Sequence, residues 1–212
     1  MKRLCLALTV ISACLCASLA LAADPPKAST AAKPAAPVDT LGMLEKAVAK
    51  DSSNFNNLYK LGGMLLERDR IAEAVRVLQK ANQVKPNDVR VLVNLGAALD
   101  AAGNGNEAQN YYKQALVVAP GDSVAGCRLA SSYYAQGKYS DSMDQLRAVI
   151  KNRPNSHCAY FTLGVAFADA GIYRDAIRMW QKVLELAPDS PEAASAKESI
   201  EVLRKYLMDK GQ

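Results

Sequence analysis

VRVLVNLGAALDAAGNGNEAQNYYKQALVVAPGD, residues 89–122, carries two apolar patterns of helical period, parted by Gly103 and closed by Pro120. Leu92, Leu95 and Leu99 recur at three and four residues, which is one face of an α-helix, and Tyr112, Ala115 and Leu116 form a matching stripe after the glycine. Gly96 and Ala108 are small enough for the two helix backbones to approach closely. Pro120 ends the pair, because proline has no N–H to donate and disfavours helix in the residue before it.

The same unit recurs along the chain. Pro86, Pro120, Pro154 and Pro188 stand at one constant interval. In that frame Leu61, Leu95, Leu129 and Leu163 align, followed by Gly62, Gly96, Ala130 and Gly164. Ala74, Ala108, Ser142 and Ala176 share a column, as do Leu78, Tyr112, Leu146 and Trp180. Gly103, Gly137 and Gly171 fall between the paired helices, where a helix C-terminus can need a left-handed residue. Asp69 takes that place in the first copy, so the sequence specifies its turn less firmly.

Two helices in a period of about 34 residues match the tetratricopeptide length. Over residues 39–209 these columns resemble the tetratricopeptide repeat (TPR) family. The resemblance implies an all-α, right-handed superhelical solenoid of about four helix pairs, at 55–88, 89–122, 123–156 and 157–190. An N-terminal half-repeat helix is expected within 39–54 and a C-terminal capping helix within 191–212. One pair cannot bury its apolar face alone, whereas stacked pairs share a continuous core.

Two departures fall in the third copy. Gly126 stands where the others have Leu58, Leu92 and Tyr160, and Ser142 replaces the close-packing alanine. Loss of a core side chain predicts that this pair is the least stable. At the ends, Leu44 and Ala47 lie in the phase of Leu78 and Ala81, with Asp39 or Thr40 as N-cap. Pro191 opens the last helix where a missing N–H is tolerated. Ile200, Leu203 and Leu207 are then placed to pack inward while Lys197, Glu198, Glu201, Arg204 and Lys205 face water.

Residues 1–22 have the pattern of an export signal. Lys2 and Arg3 precede an uncharged run from Leu4 to Ala22, and Ala20-Leu21-Ala22 provides a cleavage pattern of small residues, so the mature chain is expected to begin at Ala23 and to reside in a bacterial periplasm. Two alternatives remain open. Ile11-Ser12-Ala13-Cys14 resembles the lipobox of outer-membrane lipoproteins, and an uncleaved run would anchor the chain in the membrane facing the periplasm. Residues 23–38, with Pro25, Pro26, Pro34 and Pro37 among Ala, Lys, Ser and Thr, read as a linker unable to build a core.

The whole chain has a net charge of +5, from 26 basic and 21 acidic side chains. Four of the basic and one of the acidic residues precede Asp39, which leaves the array at +2. No arginine-rich stripe with interleaved aromatics is present, so nucleic acid is not an expected partner. There is no Ser-His-Asp set, phosphate loop, Cys-x-x-Cys or metal-ligand spacing, and His157 adjoins Cys158 without forming a preset base and nucleophile. No catalytic residue, cofactor or metal is therefore assigned. Cys5, Cys14 and Cys16 lie in the signal region, which leaves Cys127 and Cys158, just under one repeat apart, as a candidate disulfide on adjacent first helices or, alternatively, as the centre of a thiol-active protein.

In TPR proteins the inward-facing side chains come chiefly from the first helix of each pair. The resemblance thus implies a groove bearing Tyr59, Lys60, Arg90, Asn94, Arg128, Tyr134, Phe161 and Thr162. Lys60, Asn94, Arg128 and Thr162 share one column and form an expected row of donors. This lining suits a peptide or partner helix, and the expected role is a non-catalytic interaction scaffold or assembly factor of the cell envelope.

Overall fold

A computed structural model describes residues 39–211. The signal pattern, the lipobox-like segment, the linker and Gln212 lie outside the described residues. Ten helices and no strands occur among those described: α1 Thr40–Lys50, α2 Phe55–Glu67, α3 Ile71–Val84, α4 Val89–Ala101, α5 Gly105–Val118, α6 Ser123–Ala135, α7 Tyr139–Asn152, α8 His157–Asp169, α9 Tyr173–Leu186 and α10 Pro191–Asp209. The architecture is an all-α helical repeat. No helix of the described residues is long and apolar enough to cross a membrane.

Local signals place each helix. Asp39, Asn54, Asp122 and Ser190 accept a hydrogen bond from the backbone N–H three residues on, and Asp88 from that of Arg90, satisfying donors the first helical turn leaves free. At the turn inside each pair, a left-handed residue lets the next N–H reach back to a carbonyl in the last turn of the first helix. These bonds are Arg70 to Leu65, Asn104 to Leu99, Lys138 to Tyr133 and Ile172 to Phe167. Asp69 adopts φ 57°, close to the 73–81° of Gly103, Gly137 and Gly171, so the first pair turns as the others do despite its side chain.

Within pairs a small residue meets a large one. A methyl added at Gly62 would lie 2.5 Å from Leu78 Cδ2, and one at Gly96 would lie 2.5 Å from Tyr112 Cε1. Gly164 is covered in the same way by the Trp180 indole. Leu61, Leu65, Leu78, Leu95, Leu99, Tyr112 and Leu129 form one buried cluster across the first three pairs, as expected for a shared solenoid core.

The third pair differs from the reading of its sequence. Gly126 leaves no unfilled core position, because Val149 packs directly onto its backbone and a methyl there would collide with Val149 Cγ2. Val149 stands where the first two pairs have Ala81 and Ala115, and its side chain occupies the space over the glycine. Ser142 is fully buried, and its hydroxyl has no hydrogen-bond partner among the described residues. An unsatisfied buried hydroxyl is the destabilising feature that this pair shows.

Helix neighbours define the curvature. The first helices touch their counterparts along the array, α2 to α4, α4 to α6, α6 to α8 and α8 to α10, whereas the second helices α3, α5, α7 and α9 do not touch one another. The array therefore closes up on the side of the first helices and opens on the other. The inner, concave face belongs to α2, α4, α6 and α8.

Candidate functional site: the inner helix face

The N-terminal end of this face is a chain of stacked aromatic and basic groups. Phe55 and Tyr59, one turn apart on α2, stack with ring centroids 6.4 Å apart. Arg90 lies 5.0 Å over the Tyr59 ring and Lys85 5.0 Å over the Phe55 ring. Asp88 binds both cations: Arg90 donates to it at 2.9 and 3.0 Å, and Lys85 at 3.0 Å. The Arg90 hydrogen bonds hold the Asp88 carboxyl well below the usual carboxylate range, against the opposing effect of burial. Arg90 and Tyr59 are thus held against each other, with the Arg90 side chain still 59% exposed.

In the middle of the face a polar network crosses between the second and third pairs. Asp100 accepts hydrogen bonds from the Tyr112 hydroxyl at 3.0 Å and the Ser132 hydroxyl at 2.9 Å. The Gln109 amide lies 3.4 Å from the Ser132 oxygen. Burial pushes the Asp100 carboxyl upward, while these donors and the Arg128 charge act in the opposite direction. Arg128 itself is exposed, as is Lys60, and neither forms an ion pair among the described residues. Asn94 is half-buried, its amide nitrogen over Gly63.

Toward the C-terminal end, the Tyr134 hydroxyl donates to Asp169 at 2.5 Å and the ring packs edge-on against Tyr139 at 5.1 Å. Burial first, and then Asp169, push the Tyr134 phenol upward. Thr162 donates to the Cys158 carbonyl one turn back on its own helix, at 3.0 Å, and so is engaged within α8. Phe161 is half-buried, and its carbonyl accepts from the Trp180 indole N–H at 3.2 Å. In the column Lys60, Asn94, Arg128 and Thr162, only Thr162 is held within its own helix, and Lys60 and Arg128 are the two exposed cations.

Cys127 and Cys158 are joined by a disulfide with Cα atoms 6.2 Å apart. Cα atoms stand about 2.3 Å off a helix axis, so facing residues of α6 and α8 reach bridging range at the usual interaxial spacing of about 8–10 Å. Ser156 occupies the N-cap position of α8 but makes no capping bond; its hydroxyl lies 3.2 Å from the Cys158 sulfur and 3.9 Å from that of Cys127. Alkylation of the denatured protein isolated without reductant should leave both cysteines unlabelled. Recovery of two labelled thiols would contradict the bridge.

Sequence reasoning missed the Asp100 network and the Tyr134–Asp169 link. The column of Asp100 holds Leu66, Tyr134 and Ala168 in the other copies, so periodicity carries no signal for it. The Asp88 clasp was more accessible, since Asn54, Asp88, Asp122, Ser156 and Ser190 recur at the repeat interval in the N-cap position. Among the described residues no cluster of His, Cys, Asp or Glu is placed to hold a metal ion.

Residues 65–126 and 127–191 each match a family profile described as tetratricopeptide repeat. The fold is similar to that of MamA, with 21% identity over 68% of this chain and 85% of that one and a TM-score of 0.58. It is also similar to YrrB, a TPR protein with an unusual peptide-binding site, at 23% identity over 74% and 81% of the two chains and a TM-score of 0.54. A thermophilic TPR protein of Thermus thermophilus aligns at 17% identity over 76% of this chain and 88% of its own, with a TM-score of 0.66. No curated protein matches the chain by sequence.

Proposed function

Since the chain belongs to the tetratricopeptide repeat proteins, we propose that it is an exported, non-catalytic scaffold or assembly factor of a bacterial cell envelope. It binds an extended peptide or a partner helix on the concave face of α2, α4, α6 and α8. The observation that carries this reading is the combination of a curved inner face with two exposed cations in one column, Lys60 and Arg128. Arg128 is the stronger anchor, because its guanidinium is always charged and forked to receive a carboxylate or two carbonyls. The peptide-binding site of YrrB, on a similar fold, is consistent with such use.

Export rests on the sequence of residues 1–22, with the mature chain beginning at Ala23 in the periplasm. Intact mass of the native protein separates this form from one lipidated at Cys14 or anchored by an uncleaved signal. The disulfide favours an oxidising compartment. It also keeps the thiol-active alternative in view, which a disulfide-reductase assay tests directly.

The groove assignment is tested on arrayed peptides, comparing wild type with Arg128→Ala and Lys60→Ala, each shown to be folded by circular dichroism. Loss of Arg128 should weaken the selected peptides by about 1.5–3 kcal/mol, the range for a hydrogen bond to a charged group. Unchanged binding by both folded variants would move the site away from this face.

A further inference from the structure

The two ends of the array are finished differently. α10 starts in the frame of a first helix. The positions that face a second helix in a complete pair, those of Leu58, Leu61, Gly62 and Leu65, carry Ala194, Lys197, Glu198 and Glu201 in α10, and all four are exposed. That end is closed to further helices by its polarity. α1 stands in the frame of a second helix, and its open side is apolar instead. Leu44 and Ala47 occupy the positions of Leu78 and Ala81, which are fully buried in the first complete pair. In α1 they are only half-buried, and Met43 beside them is 62% exposed. The sequence upstream does not carry the missing first-helix pattern: the frame sets Asp24 and Lys27 where Leu58 and Leu61 stand, with Pro25 and Pro26 between them.

We propose that this face pairs with the same face of a second copy of the chain, α1 against α1 in antiparallel orientation about a twofold axis. Such an isologous contact requires a self-complementary surface, and the 11 residues of α1 provide one. An antiparallel alignment centred between Glu45 and Lys46 sets Leu44 opposite Ala47 of the partner subunit, and the reverse, twice placing a large residue on a small one as Leu78 is placed on Gly62.

Charge favours the same orientation. Lys46 and Lys50 occupy the C-terminal half of α1 and Asp39 caps its N-terminus, so antiparallel helices bring Lys50 to the acidic end of the partner subunit's helix, whereas parallel ones would align like charges. Glu45 is engaged within its own chain, binding Arg70 at 2.6 Å, a cation it shares with Glu73. A single short helix per subunit gives an interface below about 1,200 Å², the size of weak and transient complexes. The dimer is accordingly concentration-dependent, and it stands independently of the groove reading.

Sedimentation velocity of the mature protein over a wide concentration range tests this. The expected result is a monomer–dimer equilibrium in which Met43→Glu and Ala47→Glu, both verified as folded, weaken association by about tenfold or more, while Val202→Glu on α10 leaves it unchanged. Amine crosslinking of mixed isotope-labelled and unlabelled chains should yield a Lys46–Lys46 link joining the two labels. A monomer at every concentration would overturn the proposal. So would a dimer that persists in both folded α1 variants, or intermolecular links confined to other helices.

Discussion

Replacing Trp180 with alanine is expected to destabilise the array by about 3–5 kcal/mol, the range for removing a buried aromatic side chain. Trp180 is 5% exposed, its indole covers the Gly164 backbone, and its N–H donates to the Phe161 carbonyl. Truncation would open a cavity between α8 and α9 and remove a donor from that carbonyl. Neighbours cannot easily fill the space, because Gly164 has no side chain to move into it. Leucine occupies this column in the first and third pairs, as Leu78 and Leu146. Trp180→Leu should therefore lose less than Trp180→Ala. Urea denaturation followed by far-ultraviolet circular dichroism measures both, and equal losses for the two variants would contradict the packing described.

Tyr112→Ala is expected to lose a similar amount, about 3–5 kcal/mol for the ring alone. Tyr112 is fully buried against Gly96, and its hydroxyl is one of two side-chain donors to Asp100. Tyr112→Phe separates the two contributions. It keeps the packing and removes a hydrogen bond to a charged group, at a cost of up to about 1.5–3 kcal/mol, reduced because Asp100 is only half-buried and water can replace the donor. A Tyr112→Ala loss no larger than that of Tyr112→Phe would mean that the ring is not a core element.

The fold was legible because the signals that place helices recur in phase. The leucine columns, the glycine turns and the four prolines each name the same repeating unit, and the helices occupy it without slippage: the first helix of each pair spans 13 residues and the second 14. What escaped the sequence was pairwise compensation. Gly126 taken alone implies a lost core side chain, yet its loss is matched by Val149 on the facing helix. Asp69 in a glycine column implies an uncertain turn, yet aspartate tolerates the left-handed conformation well enough to preserve the hydrogen bond that follows.

The inner face was legible as a column of positions and illegible as chemistry. Arg90 and Thr162 were expected on the groove from their columns; Asp88 binds the first and the α8 backbone accepts from the second. Such local engagement depends on side-chain reach, which a period does not encode. It narrows the expected row of donors to Lys60, Asn94 and Arg128.

The claim that partners are bound on the concave side is tested most directly by site-specific photocrosslinking in the native cell. A benzophenone side chain is placed at Ser131, exposed on the inner helix α6, and separately at Lys80, exposed on the outer helix α3. The account predicts a discrete partner adduct from Ser131 that Arg128→Ala diminishes, and none of comparable yield from Lys80. An adduct from Lys80 alone, with Ser131 unreactive, would contradict it.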